Sequence, residues 1–459
     1  MSLRMAIGGV AGPFGRRRAE GYDSPVPRPR LRPTRWLPSE PRRRSAALAA
    51  VAALGAGGAV ALMRWRLWSS GVPSVDPAPL TDWFDPAELA RNREYRRGVW
   101  AMAAVGVPLA ALTAIAVAAL GGRWRPGVVR LARGRPWAAG LVFGAGLSLA
   151  TFLVALPLSA GRYAWGRDHG IVTQDVVGWL LDAAKGLGIQ LVIAGALGAG
   201  AAVLIARSPR LWWLAMAGVV AAFIYLSSLL SPILIEPLFQ RTQPLRDPAL
   251  SAQILDLAHR AGVNADDVKV NDASARTTAA NAYVSGFGGS RHIVLYDTLL
   301  RDFPPDQVRM VVAHELAHVE RRHVLKGSTW GAVLAVPGLL MVFAVVGWRT
   351  GFGAAARDAS GCDLVLRRLA IAAAAAAVIG TLSAPLANWV SRAYEREADW
   401  RGLQLSRDPQ ADIALQQGLV ERSLGVPDPP AAVRFWFGTH PAALERIALA
   451  LRYQDERGR

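Results

Sequence analysis

The sequence contains a single cysteine, Cys362, among its 459 residues. One thiol excludes an intramolecular disulfide framework, and it excludes zinc or iron–sulfur sites built from several cysteines. Charged residues are also scarce, at 19% of the chain, whereas apolar residues reach 52% before glycine is counted. This balance excludes a disordered chain. It also argues against a single soluble globule, in which about a quarter of the residues are usually charged.

Acidic residues are outnumbered, with 34 Asp and Glu against 52 Lys and Arg, for a net charge of +18. The basic residues, nearly all arginine, concentrate in an N-terminal tail, residues 1–44, and in short clusters beside long apolar runs. This arrangement is typical of membrane flanks and not of a phosphate-binding face, so we expect a lipid bilayer as partner and no nucleic acid. The tail is also rich in proline and is predicted to be disordered.

Seven apolar runs approach or exceed the roughly 20 residues that cross the hydrocarbon core of a bilayer. The alternative, seven buried helices of a soluble protein, would need an implausibly large core. A transporter with internal repeats is disfavoured because no two segments visibly pair. We therefore predict seven transmembrane helices, at residues 46–63, 98–120, 137–160, 187–206, 211–231, 330–348 and 369–390.

Two stretches, residues 236–329 and 391–459, have the composition of soluble protein. In the first we predict a helix at 249–261, strands around 281–284 and 291–296, and a helix running from Pro305 into the next span. The predicted organisation is a tail (1–44), five spans (45–235), a soluble segment (236–329), a two-span hairpin (330–390) and a second soluble segment (391–459).

The last helix of the first soluble segment carries the motif His314-Glu315-Leu316-Ala317-His318. Histidines four residues apart lie on one helix face, so both imidazoles can bind one Zn²⁺. The glutamate beside the first histidine is placed to take a proton from an attacking water. The alternative, two structural histidines, is disfavoured because unpaired imidazoles and a carboxylate within apolar flanks are costly to bury.

A catalytic zinc usually takes a third protein ligand and keeps one position open. His323 lies five residues after His318 and rotates off the ligand face, so we predict that it is a solvated helix end. The better candidates stand after the last span, where Glu395 and Asp399 share a helix face and Glu397 points elsewhere. Spacing alone leaves open that this segment is an ordinary charged helix start.

Several motifs stand in order along most of the chain. They are Phe84-Asp85-Pro86, Arg93-Glu94-Tyr95, Glu236-Pro237-Leu238-Phe239, Asn281-Ala282-Tyr283, His314 to His318, Ser391 to Asp399, and Thr439-His440-Pro441. Together they resemble the CAAX prenyl protease and HtpX family of integral-membrane zinc metallopeptidases, and its seven-span CAAX prenyl protease branch in particular. The resemblance implies an α-helical polytopic membrane protein with a split α+β, gluzincin-like metallopeptidase domain, formed by the catalytic segments 236–329 and 391–459.

The resemblance also implies how the metal is held. His314, His318 and Glu395 would bind one Zn²⁺ per chain, Asp399 would orient a ligand histidine, and Glu315 would be the general base. Replacement of Glu397 is then expected to be nearly silent.

Two further parts of the site follow from the resemblance. His440 is a candidate donor to the oxyanion of the tetrahedral intermediate, although a capping or core histidine before Pro441 stays open. Asn281, Ala282 and Tyr283 are expected to form an edge strand that aligns an extended substrate.

The expected activity is that of a membrane-embedded zinc endopeptidase acting on peptides or membrane-associated proteins, with a monomer as the expected state. The alternative is a catalytically idle membrane scaffold or chaperone of the same fold. The resemblance implies that the catalytic segments are cytoplasmic, whereas the Lys and Arg distribution favours the opposite orientation.

Overall fold

The computed structural model describes residues 41–68, 71–286, 291–353 and 359–458. Most of the predicted tail lies outside these ranges, and residues 41–44 form the start of the first helix. The helices are α1 Pro41–Trp68, α2 Pro86–Ala119, α3 Gly121–Leu131, α4 Pro136–Asp168, α5 Val176–Arg207, α6 Trp212–Leu230, α7 Glu236–Phe239, α8 Pro248–Arg260, α9 Asp297–Asp302, α10 Pro305–Glu320, α11 His323–Thr350, α12 Ala359–Ser406, α13 Pro409–Arg422, α14 Ala431–Phe437 and α15 Ala443–Arg457. The strands are β1 Thr242–Pro244, β2 Asp267–Asn271, β3 Ala282–Ser285 and β4 His292–Tyr296.

All seven predicted spans are confirmed as helices that are long and apolar enough to cross a membrane. The corresponding ranges are Arg42–Arg64, Leu89–Ala119, Pro136–Asp168, Val176–Arg207, Trp212–Phe239, His323–Thr350 and Ser360–Ser406. Many of their large apolar side chains face outward: Leu54 and Val192 expose 77% and 73% of their surface. Such exposure is unfavourable in water and is expected against lipid.

Two of the spans, α4 and α5, pack with their backbones close together. A Cβ added at Gly144 would lie 2.0 Å from the Ala194 carbonyl oxygen, and one at Gly198 would lie 2.3 Å from that of Gly140. Only glycine fits at these positions, which is how small residues let membrane helices pack without a hydrophobic driving force.

The helix α12 connects the membrane bundle to the soluble part. It has 48 residues and is therefore about 72 Å long at 1.5 Å per residue. Since the hydrocarbon core takes only about 20 residues, the helix continues beyond its apolar stretch into the segment that carries Glu395 and Asp399. The predicted division at residue 391 falls inside this helix.

The soluble part contains a four-stranded sheet in the order β1-β2-β4-β3, with β2 and β4 parallel and the outer pairs antiparallel. The predicted strands correspond to β3 and β4, and the predicted helix at 249–261 corresponds to α8. The edge strand β3 pairs with β4 in the register Ala282↔Leu295 and Tyr283↔Val294.

One hydrophobic core unites the two predicted soluble segments. Fully buried side chains come from α8, β4, α10, α12 and α15, namely Ile254, Leu295, Leu316, Leu403 and Ile447. The start of α2 also docks here, because Asn92 Nδ2 donates to the Gly425 carbonyl at 2.9 Å and Arg96 Nη2 donates to that of Ser423 at 2.8 Å. Segments distant in sequence are thereby fixed as one body around α10.

Candidate active site

The motif helix α10 is held tightly against α12. His314 is 8% exposed, and its neighbours Ala313 and Leu316 are fully buried. The close approach depends on Gly402 of α12, where an added Cβ would lie 3.2 Å from the His314 backbone nitrogen and 3.1 Å from Met310 Cε. This packing brings the acidic residues of α12 within reach of the motif histidines.

Three predicted ligands converge on one point. His314 Nε2 lies 3.1 Å from His318 Nε2 and 3.2 Å from Glu395 Oε2, and His318 Nε2 lies 3.6 Å from Glu395 Oε1. All three residues offer a ligand atom within 4.8 Å of the others.

The spacing of these atoms fits a zinc ion. A tetrahedral site with bonds of about 2.0–2.1 Å has edges of about 3.3 Å, close to the separations observed. Glu395 is also buried, at 8% exposure, and a buried carboxylate is costly unless a cation is paired with it. Two imidazoles and one carboxylate form a donor set that suits zinc.

The second predicted carboxylate supports one of the ligands. Asp399 is 2% exposed, and its Oδ1 lies 2.9 Å from His314 Nδ1 and 2.6 Å from Arg446 Nη2. A proton on His314 Nδ1 leaves Nε2 free to bind a metal, so Asp399 is placed to fix this tautomer.

Glu315 opens onto a cavity of about 140 Å³ that also contacts Asn281, His314 and His440. Burial raises the pKa of Glu315, while His314 and His318 oppose the rise. A carboxylate with a raised pKa is a stronger base, which suits proton transfer near neutral pH.

His440 stands at the edge of this cavity. Its side chain is 57% exposed, and its Nε2 lies 3.3 Å from Glu395 Oε2. The alternative role as a cap finds no support in its contacts, because α15 begins at Ala443 and Glu445 is the residue that binds the Ala442 N–H, at 3.2 Å.

The predicted substrate strand lies on the free edge of the described sheet. The Tyr296 N–H donates to the Asn281 carbonyl at 3.0 Å. By the alternation of an antiparallel pair, the main-chain groups of Tyr283 also face β4, whereas those of Ala282 and Val284 point outward. The Tyr283 hydroxyl donates to Glu236 and lies 3.1 Å from Gln240 Oε1. Burial and the Glu236 carboxylate raise the pKa of this phenol.

The prediction for His323 is wrong. It assumes one helix running from Pro305 into the membrane, but α10 ends at Glu320 and Arg322 adopts the left-handed conformation, with φ 56°. The break returns His323 toward His318, where it is only 4% exposed. Glu397 points away from the ligand atoms as predicted, yet it is also buried, at 9% exposure, and contacts His323. These contacts argue against the expectation that replacement of Glu397 is nearly silent.

Comparison with known proteins identifies the family of this chain. The sequence model described as Peptidase family M48 matches residues 244–454, and that of the CAAX prenyl protease N-terminal region with five membrane helices matches residues 72–241. The uncharacterized metalloprotease YhfN of Bacillus subtilis is 30% identical over 315 residues, covering 67% of this chain and 72% of that protein. The chain belongs to peptidase family M48. It is a metalloprotease of the membrane, and an idle scaffold is not favoured.

Other relatives support the same family and fold. CAAX prenyl protease 1 of Saccharomyces cerevisiae is 31% identical over 187 residues, covering 39% of this chain and 40% of that protein. The crystal structure of Ste24p from S. mikatae superposes with a TM-score of 0.68 and 19% identity, covering 88% of this chain and 98% of the other. The fold of this M48 peptidase is therefore that of Ste24p.

Sequence reasoning missed two charged residues of the M48 site, Arg446 and Asp412. Arg446 lies on the same face of α15 as the buried residues Ala450 and Tyr453, and a cation on an apolar stripe signals a buried partner. Asp412 has no comparable signal. It is 2% exposed, receives a 2.9 Å hydrogen bond from Gln416 Nε2, and lines the same cavity as Glu315.

The buried Asp412 leads to a prediction about stability. Burial raises its pKa to about 6, although Arg446 opposes the shift. The unfolded chain releases this proton near pH 4 and the folded chain near pH 6, so stability falls as pH rises through that window. Asp412→Asn should therefore be more stable than wild type above pH 6, by at most about 3 kcal/mol, and equal to it at pH 4.

Thermal unfolding of both proteins in detergent between pH 4 and 8 measures this difference. A stability difference that does not change with pH would contradict the assignment to Asp412 ionisation.

Proposed function

We propose that this M48 peptidase is a zinc-dependent endopeptidase that cleaves extended segments of membrane-associated proteins or peptides, in the manner of a CAAX prenyl protease. The observation that carries the proposal is the convergence of His314, His318 and Glu395 beside a cavity open to Glu315. The complete set of polar groups argues against a catalytically idle protein, which would have no use for them.

His314, His318 and Glu395 would hold one Zn²⁺ per chain. When bound, zinc supplies Lewis-acid polarisation of the scissile carbonyl and lowers the pKa of water. Asp399 keeps the His314 tautomer, and Arg446 keeps the Asp399 carboxylate in place, so the ligand imidazole does not have to reorient on binding.

Glu315 acts as the base in this mechanism. Its carboxylate takes the proton from the attacking water and then passes it to the nitrogen of the leaving amine. Glu315 follows His314 directly on α10, so the helix backbone fixes the distance between its carboxylate and the proposed metal ligands.

The substrate would bind as an added strand on β3. Ala282 and Val284 offer main-chain N–H and C=O groups on the free edge, which is the usual way in which a protein holds an extended peptide. Asn281 precedes them on the wall of the cavity. The two catalytic segments, 236–329 and 391–459, thus supply the substrate strand and the third ligand respectively.

His440 would stabilise the oxyanion of the tetrahedral intermediate. Thr439 Oγ1 lies 2.9 Å from His440 Nδ1, and a hydroxyl donating there leaves the proton on Nε2, which faces the site. The imidazole can then donate to the negative charge that develops on the substrate oxygen.

This role predicts the effect of His440→Ala. Loss of the donor should lower kcat by about 10²–10³-fold and leave KM nearly unchanged. Zinc content and melting temperature should stay near wild type because the side chain is more than half exposed. His259→Ala, at an exposed position on α8, is the control. A destabilised His440 variant with normal turnover would remove this residue from the mechanism.

We infer that the catalytic segments face the cytoplasm. The resemblance to the CAAX prenyl protease branch supports this orientation, whereas the distribution of Lys and Arg supports the reverse. Reporter fusions at the C-terminus, one active only in the cytoplasm and one only outside it, would decide the orientation.

Proteolysis of casein or a quenched peptide by the purified protein tests the proposed activity. We expect cleavage that a chelator stops and that added Zn²⁺ restores. Cleavage that continues at full rate after complete metal removal would contradict the proposal.

A further inference from the structure

The two ligand histidines differ in how their second ring nitrogen is held. His314 Nδ1 faces the carboxylate of Asp399, as described above. His318 Nδ1 instead lies 2.9 Å from Nδ1 of another histidine, His323. Neutral imidazole offers one donor and one acceptor, so one of these two nitrogens must carry a proton and the other must not.

His323 has a second partner on its far side. Its Nε2 lies 3.2 Å from Glu397 Oε2, and its ring stacks on Tyr394 with centroids 4.7 Å apart and planes at 16°. Glu397 is in turn 3.5 Å from Arg321 Nε. His323 is therefore fixed on both edges and on one face, at a position that excludes water.

Only one arrangement of protons satisfies this chain once His318 binds a metal through Nε2. The His318 proton must then sit on Nδ1, and it donates to His323 Nδ1. The His323 proton must sit on Nε2, and it donates to the Glu397 carboxylate. Each hydrogen bond fixes the tautomer of the next ring.

We propose that His323 and Glu397 are positioning residues for His318. They hold its ring orientation and its metal-binding tautomer through the chain His318–His323–Glu397, and they contact neither the metal nor the substrate. This inference rests on the proposed zinc site. In this arrangement a carboxylate orients each ligand histidine. Asp399 contacts His314 directly, whereas Glu397 acts on His318 through His323.

The left-handed residue Arg322 makes this arrangement possible. On an unbroken helix a residue five positions after His318 would be rotated by about 140° from it. The break between α10 and α11 returns the chain, so that the first residue of α11 faces back to the last ligand of α10. The hydrogen-bond chain also joins the motif helix to α12, which carries Glu395.

The affinity of the purified full-length protein for Zn²⁺, measured by competition with a chromophoric chelator, tests the proposal. His323→Phe keeps an aromatic ring against Tyr394 and removes both nitrogens, and it should weaken zinc binding by about 10–100-fold. His323→Asn returns an acceptor near the position of Nδ1 and should recover part of the loss. His259→Phe, an exposed histidine of α8, should bind zinc as wild type does.

A double-mutant cycle separates positioning from simple packing. Glu397→Ala should weaken zinc binding by itself, yet it should cause no further loss in the His323→Phe background, because Glu397 acts only through His323. The visible absorption spectrum of the Co²⁺-loaded protein should change in His323→Phe, since the orientation of one ligand ring is released. A packing defect would instead lower the melting temperature of the metal-free protein. It would change neither the coupling between the two substitutions nor the Co²⁺ absorption spectrum.

Wild-type zinc affinity in both His323→Phe and Glu397→Ala, or additive losses in the double variant, would overturn the inference. Such results leave the proposed function standing, provided that Glu395→Ala still loses zinc. If the wild-type protein itself binds no zinc, the proposed function has failed, and this inference fails with it.

Discussion

Glu315→Gln is expected to lower kcat/KM for proteolysis by about 10²–10⁴-fold, the range that a positioned general base contributes. The amide keeps the size of the side chain but cannot accept the proton of the attacking water. The three ligand residues are untouched, so zinc should remain at one per chain. Turnover of a quenched peptide and metal analysis of the same preparation measure both quantities.

Glu320→Gln provides the matched control for this change. Glu320 lies on the same helix α10, but its carboxylate binds Arg401 Nε at 2.8 Å, away from the cavity. We expect this variant to retain most of its activity. If Glu315→Gln lost zinc together with activity, Glu315 would be a structural residue and the proton-transfer role would be wrong.

Glu395→Ala should remove the zinc itself and with it all metal-dependent proteolysis. The change deletes the only carboxylate ligand of the proposed three and leaves two histidines, which form an incomplete site. The helix α12 should persist in the variant, since alanine has the highest helix propensity of all residues. Zinc content should fall from near one per chain to a small fraction of that value.

Glu421→Ala removes an exposed carboxylate from α13 and should leave the zinc content unchanged. A Glu395 variant that kept its zinc, while a variant of another acidic residue lost it, would mean that a different carboxylate completes the site.

Much of the membrane architecture is predictable from the sequence because apolar runs of spanning length have few alternative structures. The zinc-binding face of α10 is predictable for a similar reason, since the spacing of His314 and His318 fixes their direction on a helix. Spacing in the sequence alone does not identify the third ligand. The positions of Glu395 and Asp399 acquire meaning only when α10 and α12 are in contact, and that contact depends on Gly402, which carries no chemical signal of its own.

His323 shows where reasoning from periodicity fails. The helical rotation that places His314 and His318 together also predicts that His323 faces solvent. A single left-handed residue, Arg322, reverses this result, and an arginine is not a residue type that signals a helix break. Arg446 is missed for a different reason, because its partner Asp399 comes from another part of the chain.

The most direct test of the zinc peptidase account is a titration of the metal-free protein with Zn²⁺, with proteolytic activity followed at each addition. The account predicts that activity rises in proportion to bound zinc and reaches its plateau at one zinc per chain. Full activity before any zinc is added, or a plateau reached only at two zinc ions per chain, would contradict it.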